Sequence, residues 1–191
     1  MNYKANIKQY IQKEIDLLGQ LDVDSINRAL IEIVVAYNRE GNIYIFGNGG
    51  SASTASHYAN DFNKGISEYT KKKFRFLCLN DNVATLMAIA NDIGYEEVFR
   101  FQLMGKLNEK DLVIGISGSG NSKNVINALQ YAKECGVRTL GITGFDGGIV
   151  RKIVDISLHV PINNMQMTED VHMIFDHLMM TVLYQVWELN K

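Results

Sequence analysis

The 191-residue chain has one proline, one tryptophan, two cysteines and almost no net charge, with 19 Lys and Arg against 21 Asp and Glu. Each scarcity excludes something. Cys78 and Cys135 are too few and too far apart in sequence for a disulfide framework, and their apolar or helical settings mark them as reduced core thiols. A formal charge of −2 gives nucleic acid no electrostatic footing. The one basic cluster, Lys71-Lys72-Lys73 with Arg75, reads as a solvated loop ahead of a strand. No apolar segment follows Met1-Asn2-Tyr3-Lys4, and no apolar run approaches the roughly 18 residues of a bilayer span. The expectation is a cytoplasmic protein with no membrane and no nucleic-acid partner. No linker, repeat or low-complexity segment divides the chain, so 1–191 reads as one domain, with helices over 1–40 and an α/β core over 41–191.

What is present is apolar periodicity of two kinds. Ile7, Ile11, Ile15 and Leu18 recur at helical spacing, which predicts an amphipathic first helix with little core of its own to cover and a face suited to another subunit. A second helix runs to Tyr37, with Asp24 or Ser25 as its cap and Gly41 at its C′ position. Five short apolar runs follow, Ile43–Phe46, Phe74–Leu79, Asp111–Ile116, Val137–Thr143 and Val154–Val160, and helices separate them: one from about Ser51, one over Val83–Ile89, one over Tyr95–Leu107 and one ending at Cys135. Thr168–Leu189 closes the chain as a long helix capped by Thr168. Strands alternating with helices, joined by connections too long for hairpins, specify an α/β fold: a five-stranded, doubly wound parallel sheet with extra N-terminal helices and a long C-terminal helix.

Two turns in this pattern carry chemistry. Gly47-Asn48-Gly49-Gly50-Ser51 joins a buried strand to a Ser/Ala-rich helix, placing unpaired N–H groups and a helix N-terminus on one spot. Ser117-Gly118-Ser119-Gly120-Asn121-Ser122 adds hydroxyls and amides with no bulky side chain, as a phosphate requires. Neither has the spacing of a P-loop or of a dinucleotide-binding turn, which disfavours a nucleotide. Beyond Ser51, His57 and Asp61 stand at i, i+4 on one helix face, suited to a metal or a proton-transfer pair. The C-terminal helix holds Glu169, Asp170, His172, Asp176 and His177. His172 and His177 differ by about 140° in rotation and cannot share a face, while Glu169 and His177 are closer in rotation but about 12 Å apart in rise. His159, near the end of the last strand, reads as structural.

Gly47-Asn-Gly-Gly-Ser-Ala-Ser-Thr-Ala-Ser-His57, Ala90-Asn-Asp92, Ile116-Ser-Gly-Ser-Gly-Asn-Ser122, Thr143-Gly-Phe-Asp-Gly-Gly148 and Glu169-Asp-Val-His172 through His177 together resemble the sugar isomerase (SIS) domain family, in its phosphoheptose isomerase branch. The resemblance covers nearly the whole chain. It implies a flavodoxin-like fold, a homotetramer with active sites between subunits, and a phosphorylated sugar as substrate. It further implies that Ser51, Ser117, Ser119 and Ser122, with the glycines Gly49, Gly50 and Gly118 of the same turns, bind the phosphate, and that Asn48 and Asp92 contact the sugar. His57, Asp61, Glu169 and His177 would bind zinc, with Glu169 also facing substrate; the base is Asp61 or Glu169, Asp61 being the expected one, and His177 is the acid. Asp61 stands where the branch commonly has Glu, Glu169 where it has Gln, and Gly118 where Thr is usual. The rival readings are a non-catalytic tetrameric binding protein of the initiator-associating type and an isomerase for another phosphosugar.

Overall fold

In the computed structural model, which describes residues 1–189, the apolar runs become strands β1 (Ile43–Gly47), β2 (Phe76–Cys78), β3 (Leu112–Ser117), β4 (Arg138–Thr143) and β5 (Ile156–His159). All pair in parallel, in the order β2-β1-β3-β4-β5. Residues 190–191 of the expected 41–191 unit lie outside the described range. Eight α-helices surround the sheet: α1 (Lys4–Leu18), α2 (Val23–Asn38), α3 (Gly50–Asn60), α4 (Val83–Asp92), α5 (Arg100–Leu103), α6 (Lys123–Glu134), α7 (Val150–Ile153) and α8 (Met165–Val186). Alternate strand residues divide the core. Ile43, Ile45, Ile114 and Ile142 pack with α2, α3 and α8, while Tyr44, Phe46 and Val113 pack with α4, α5, α6 and α7. Every residue of β1 and β3 is buried, which is why these runs are continuously apolar rather than alternating. Strand order reverses between β1 and β3, and the two Gly/Ser turns leave the carboxyl ends of those strands.

Several local expectations are corrected. Asp22, not Asp24 or Ser25, caps α2, its Oδ1 accepting from the amides of Asp24 (3.0 Å) and Ser25 (3.2 Å). At the other end Glu40 (φ 57°), not Gly41, takes the left-handed C′ position, with Glu40 N donating to Tyr37 O and Gly41 N to Ala36 O. Gly41 is required for a different reason: a β-carbon there would lie 2.0 Å from Lys110 O. The helix expected over Tyr95–Leu107 is broken into a 3₁₀ turn at Tyr95–Glu97 and the four-residue α5, because Val98, Phe99 and Leu103 are all drawn into the core and Gly105 (φ 71°) ends the segment. Edge strand β2 is shorter than its apolar run. Asn164, whose Oδ1 accepts from Met167 N at 3.1 Å, caps α8, and Thr168 is instead buried inside it. Cys78 is partly buried, which pushes its thiol up to about 12, whereas Cys135 is exposed at the end of α6 and is not a core thiol.

Candidate functional site

The first turn is shaped by close approach. A β-carbon at Gly47 would sit 2.7 Å from Ser51 Cβ and 2.9 Å from Ile116 O, so only glycine lets β1 hand over to α3 against β3. Gly49 adopts φ 55°, and Ser51 is buried in the first turn of the helix. Asn48 is held by a reciprocal amide pair with Asn124, 2.9 Å each way, and its Oδ1 also accepts from Tyr95 OH at 2.8 Å. Neither Asn124 nor Tyr95 belongs to a motif legible in the sequence. In the second turn Ser117 Oγ donates to Ser122 Oγ (3.1 Å), and Ser119 Oγ accepts from Asn121 N (3.2 Å). Gly120 (φ 65°) carries that turn against the 144–148 loop: its carbonyl accepts from Val150 N, and a β-carbon would lie 2.0 Å from Gly147 O. A β-carbon at Gly118 would meet Met165 Sδ at 2.7 Å. Beside this turn, Ser119, Asn121, Phe145, Asp146 and Asn163 line an open cavity of about 520 Å³. Hydroxyls and the N-termini of α3 and α6 thus meet at the switch point, an arrangement suited to an anion. Asp92 is exposed at the end of α4, where it accepts from Asn91 Nδ2 at 2.7 Å.

The second half of the site lies further along α3. Helix α8 runs beside it in the same direction: Glu169 lies against Gly50, His177 against His57 and Met180 against Gly65. His57 Nε2 is 3.1 Å from His177 Nε2 and 3.3 Å from Asp61 Oδ2, and His177 Nε2 is 3.8 Å from the same Asp61 oxygen. Asp61 opens a π-helical turn, Asp61–Gly65, that continues α3, a local under-winding that sequence periodicity does not reveal.

A fourth residue joins them. Asp176 is fully buried, its Oδ2 lies 3.8 Å from His57 Nε2, and one ligand atom from each of His57, Asp61, Asp176 and His177 falls within 4.8 Å of the others. Donor atoms on one tetrahedral zinc, with bonds of about 2.0–2.1 Å, stand roughly 3.3 Å apart, so these residues fit a metal ion. Neither Asp176 oxygen has a hydrogen-bond partner, and burial, with the nearby Asp61 charge, pushes its carboxyl up to about 8. The sequence did carry a signal for Asp176, an acid within the apolar run Met173-Ile-Phe-Asp-His-Leu-Met-Met180, to which no role was attached.

Glu169 is not among these four. Its carboxylate occupies the space beside Gly50, 2.5 Å from where a β-carbon would be, at the N-terminal end of α3. His172 does not share the face of His177, as the helical rotation required: it is 1% exposed, and burial, opposed only in part by the Thr143 backbone, lowers it to about 4. His159 lies with Nδ1 3.3 Å from Thr143 Oγ1, away from the cluster.

The five-stranded, all-parallel sheet wrapped by helices, with two Gly/Ser turns at its switch point, is the fold of a SIS domain. Residues 3–144 match the model of the SIS domain family, and the chain belongs to it. Within the family it is 38% identical over 172 residues to a phosphoheptose isomerase of Helicobacter pylori (strain P12), covering 90% of this chain and 87% of that protein. It is 34% identical over 192 residues to the phosphoheptose isomerase of Aneurinibacillus thermoaerophilus, covering 97% and 96%. Among solved structures, phosphoheptose isomerase GmhA from Neisseria gonorrhoeae superposes with a TM-score of 0.87 at 27% identity, over 96% of this chain and 100% of that one.

Proposed function

We propose that this chain is a phosphosugar isomerase that interconverts sedoheptulose 7-phosphate and D-glycero-D-manno-heptose 7-phosphate. The observation that carries the reading is the His57–Asp61–His177 cluster, in which His177 of α8 meets the flank of α3 and its π turn, beside the same helix whose N-terminus forms half of the turn pair. Relatives bearing the name phosphoheptose isomerase over nine-tenths of this chain support it. In this reading Ser51, Ser117, Ser119 and Ser122, with the backbone of Gly49, Gly50 and Gly118, hold the phosphate. Asn48 and Asp92 contact the sugar, and Glu169 faces it from beside Gly50.

Aldose–ketose isomerisation moves one proton between C1 and C2 and another between their oxygens. From the aldose, Asp61 takes the C2 proton, the C–H electron pair becomes the C1=C2 bond of an enediol, and His177 protonates O1. The deprotonated His177 then takes the O2 proton and is restored, the O2 electron pair forms the C2 carbonyl, and the C1=C2 pair takes back the proton held by Asp61 to form the new C1–H bond. His57, Asp61 and His177 are the residues that would hold zinc, which supplies carbonyl polarisation and steadies the enediolate. His177 presents Nε2 to the cluster, so with a metal held there its proton would be carried on Nδ1, and that nitrogen would serve as the acid.

The protein as a whole is read as one SIS domain in a homotetramer with sites between subunits. The exposed stripe Ile7, Ile11 and Ile15 on α1 supports assembly, and α1 itself is tied to α8 by a hydrogen bond from Tyr10 OH to Asp170. Among the described residues no helix is long and apolar enough to cross a membrane, and a cytoplasmic location is part of the proposal. The deciding experiment is an NMR assay of sedoheptulose 7-phosphate with metal-loaded and metal-stripped protein. Aldoheptose phosphate should appear with the loaded form; its absence, with the sugar phosphate still stabilising the fold, would make this a binding protein.

A further inference from the structure

We propose that Asp176 is an inner ligand of the metal and that Glu169 is not, so that the site is a two-histidine, two-aspartate set drawn from α3 and α8. The inference rests on the proposed metal site and concerns which residues complete it. Asp176 has no accessible surface, and neither carboxylate oxygen has a hydrogen-bond partner. A buried carboxylate left in that state is costly, and native proteins retain one where a cation or a donor completes it. The buried phenol of Tyr58 feels the Asp176 charge, yet its hydroxyl donates to the carbonyl of His172 at 3.2 Å. The group Asp176 Oδ2 does face is His57 Nε2, at 3.8 Å, a separation beyond a hydrogen bond but ordinary for two atoms sharing one ion.

Charge points the same way. Asp61 and Asp176 with two neutral imidazoles cancel a divalent cation. Adding Glu169 would leave the centre negative beside a substrate that is itself an anion. Glu169 is also in the wrong place, its carboxylate lying against Gly50 at the start of α3 while His57 stands two turns on. Released from ligation, Glu169 is positioned on the side where substrate enters from the phosphate turns.

The test compares Asp176→Asn and Glu169→Gln in the full-length protein. Zinc affinity is measured by competition with a chromophoric chelator, and the thermal midpoint is read with and without zinc. D176N is expected to lose at least tenfold in affinity, the scale of losses on altering metal surroundings, and to lose most of the zinc-dependent rise in midpoint. E169Q is expected to keep both. Metal-free D176N should melt no lower than metal-free wild type, since an uncompensated carboxylate has been removed. Undiminished zinc affinity in D176N, an equal loss in E169Q, a metal-free D176N that is less stable or fails to fold, or a wild type that binds no divalent cation would each overturn the assignment. A wild type that binds zinc as described but does not turn over sedoheptulose 7-phosphate would overturn the proposed function and leave this assignment standing.

Discussion

Acidification should destabilise the protein through His172, by an amount the structure sets. Its imidazole is 1% exposed, and burial, offset only in part by the Thr143 backbone, lowers it from 6.5 to about 4. The folded state therefore binds this proton less readily than the unfolded chain. Stability from the neutral ring is fully present above pH 6.5 and is lost as pH falls, until the loss is complete near pH 4. The span corresponds to about 3 kcal/mol, of which roughly 2.5 kcal/mol has gone by pH 4.5. Asp176 works in the opposite sense over an overlapping range: its raised carboxyl makes the metal-free fold relatively more stable as pH falls from about 8. A single titration would mix the two. The measurement is urea unfolding of metal-stripped wild type and His172→Leu at pH 7.5, 5.5 and 4.5. Asp176 is present in both proteins and drops out of the difference. Wild type should lose roughly 2.5 kcal/mol more than the variant between the extremes. Parallel losses would refute the reasoning, meaning that the Thr143 backbone or water accepts from the protonated ring well enough to offset its burial.

Three further outcomes are expected. Gly120→Ala forces a β-carbon to within 2.0 Å of Gly147 O at a left-handed backbone position, and calorimetry should show a loss of about 2–4 kcal/mol; an unchanged midpoint would mean the 144–148 loop does not brace the phosphate turn. Glu40→Gly relieves a non-glycine residue at φ 57° and should add up to about 1 kcal/mol. The ion pairs it removes, Glu40 with Lys72 (3.4 Å) and Arg75 (3.7 Å), are exposed and contribute little, so a lower midpoint would show that they outweigh the strain. Ile11→Asp, placed in the exposed stripe of α1, should reduce the particle mass seen by light scattering, and an unaltered mass would remove α1 from the assembly interface.

The sheet was readable in the chain because its central strands are buried on both faces and appear as uninterrupted apolar runs such as Leu112–Ile116, whereas edge strands β2 and β5 are only partly buried. The turns were readable because glycine and serine leave a compositional trace. What stayed hidden depends on the neighbours of a residue rather than on its type. The fracture of 95–107 comes from core-directed Val98, Phe99 and Leu103, and the left-handed Glu40 comes from the demand of Gly41 for space against Lys110. Helical rise put Glu169 and His177 two turns apart, and the structure keeps them so; Asp176 could be given a role only once α3 was seen to lie beside α8. Asn124, locking Asn48 from a separate helix, left no trace in local sequence.

Because α3 is a rigid rod, it also acts as a ruler. Ser51, at its tip, and His57, on its flank, are six residues apart, which fixes about 9 Å of axial separation between the anion end and the histidine end. A loop joining the two ends could stretch or shorten to suit its ligand, but a helix of this kind cannot. Any sugar phosphate held at both ends must bring its own backbone to that length, so discrimination between longer and shorter chains is built into the helical rise before any side chain touches a hydroxyl.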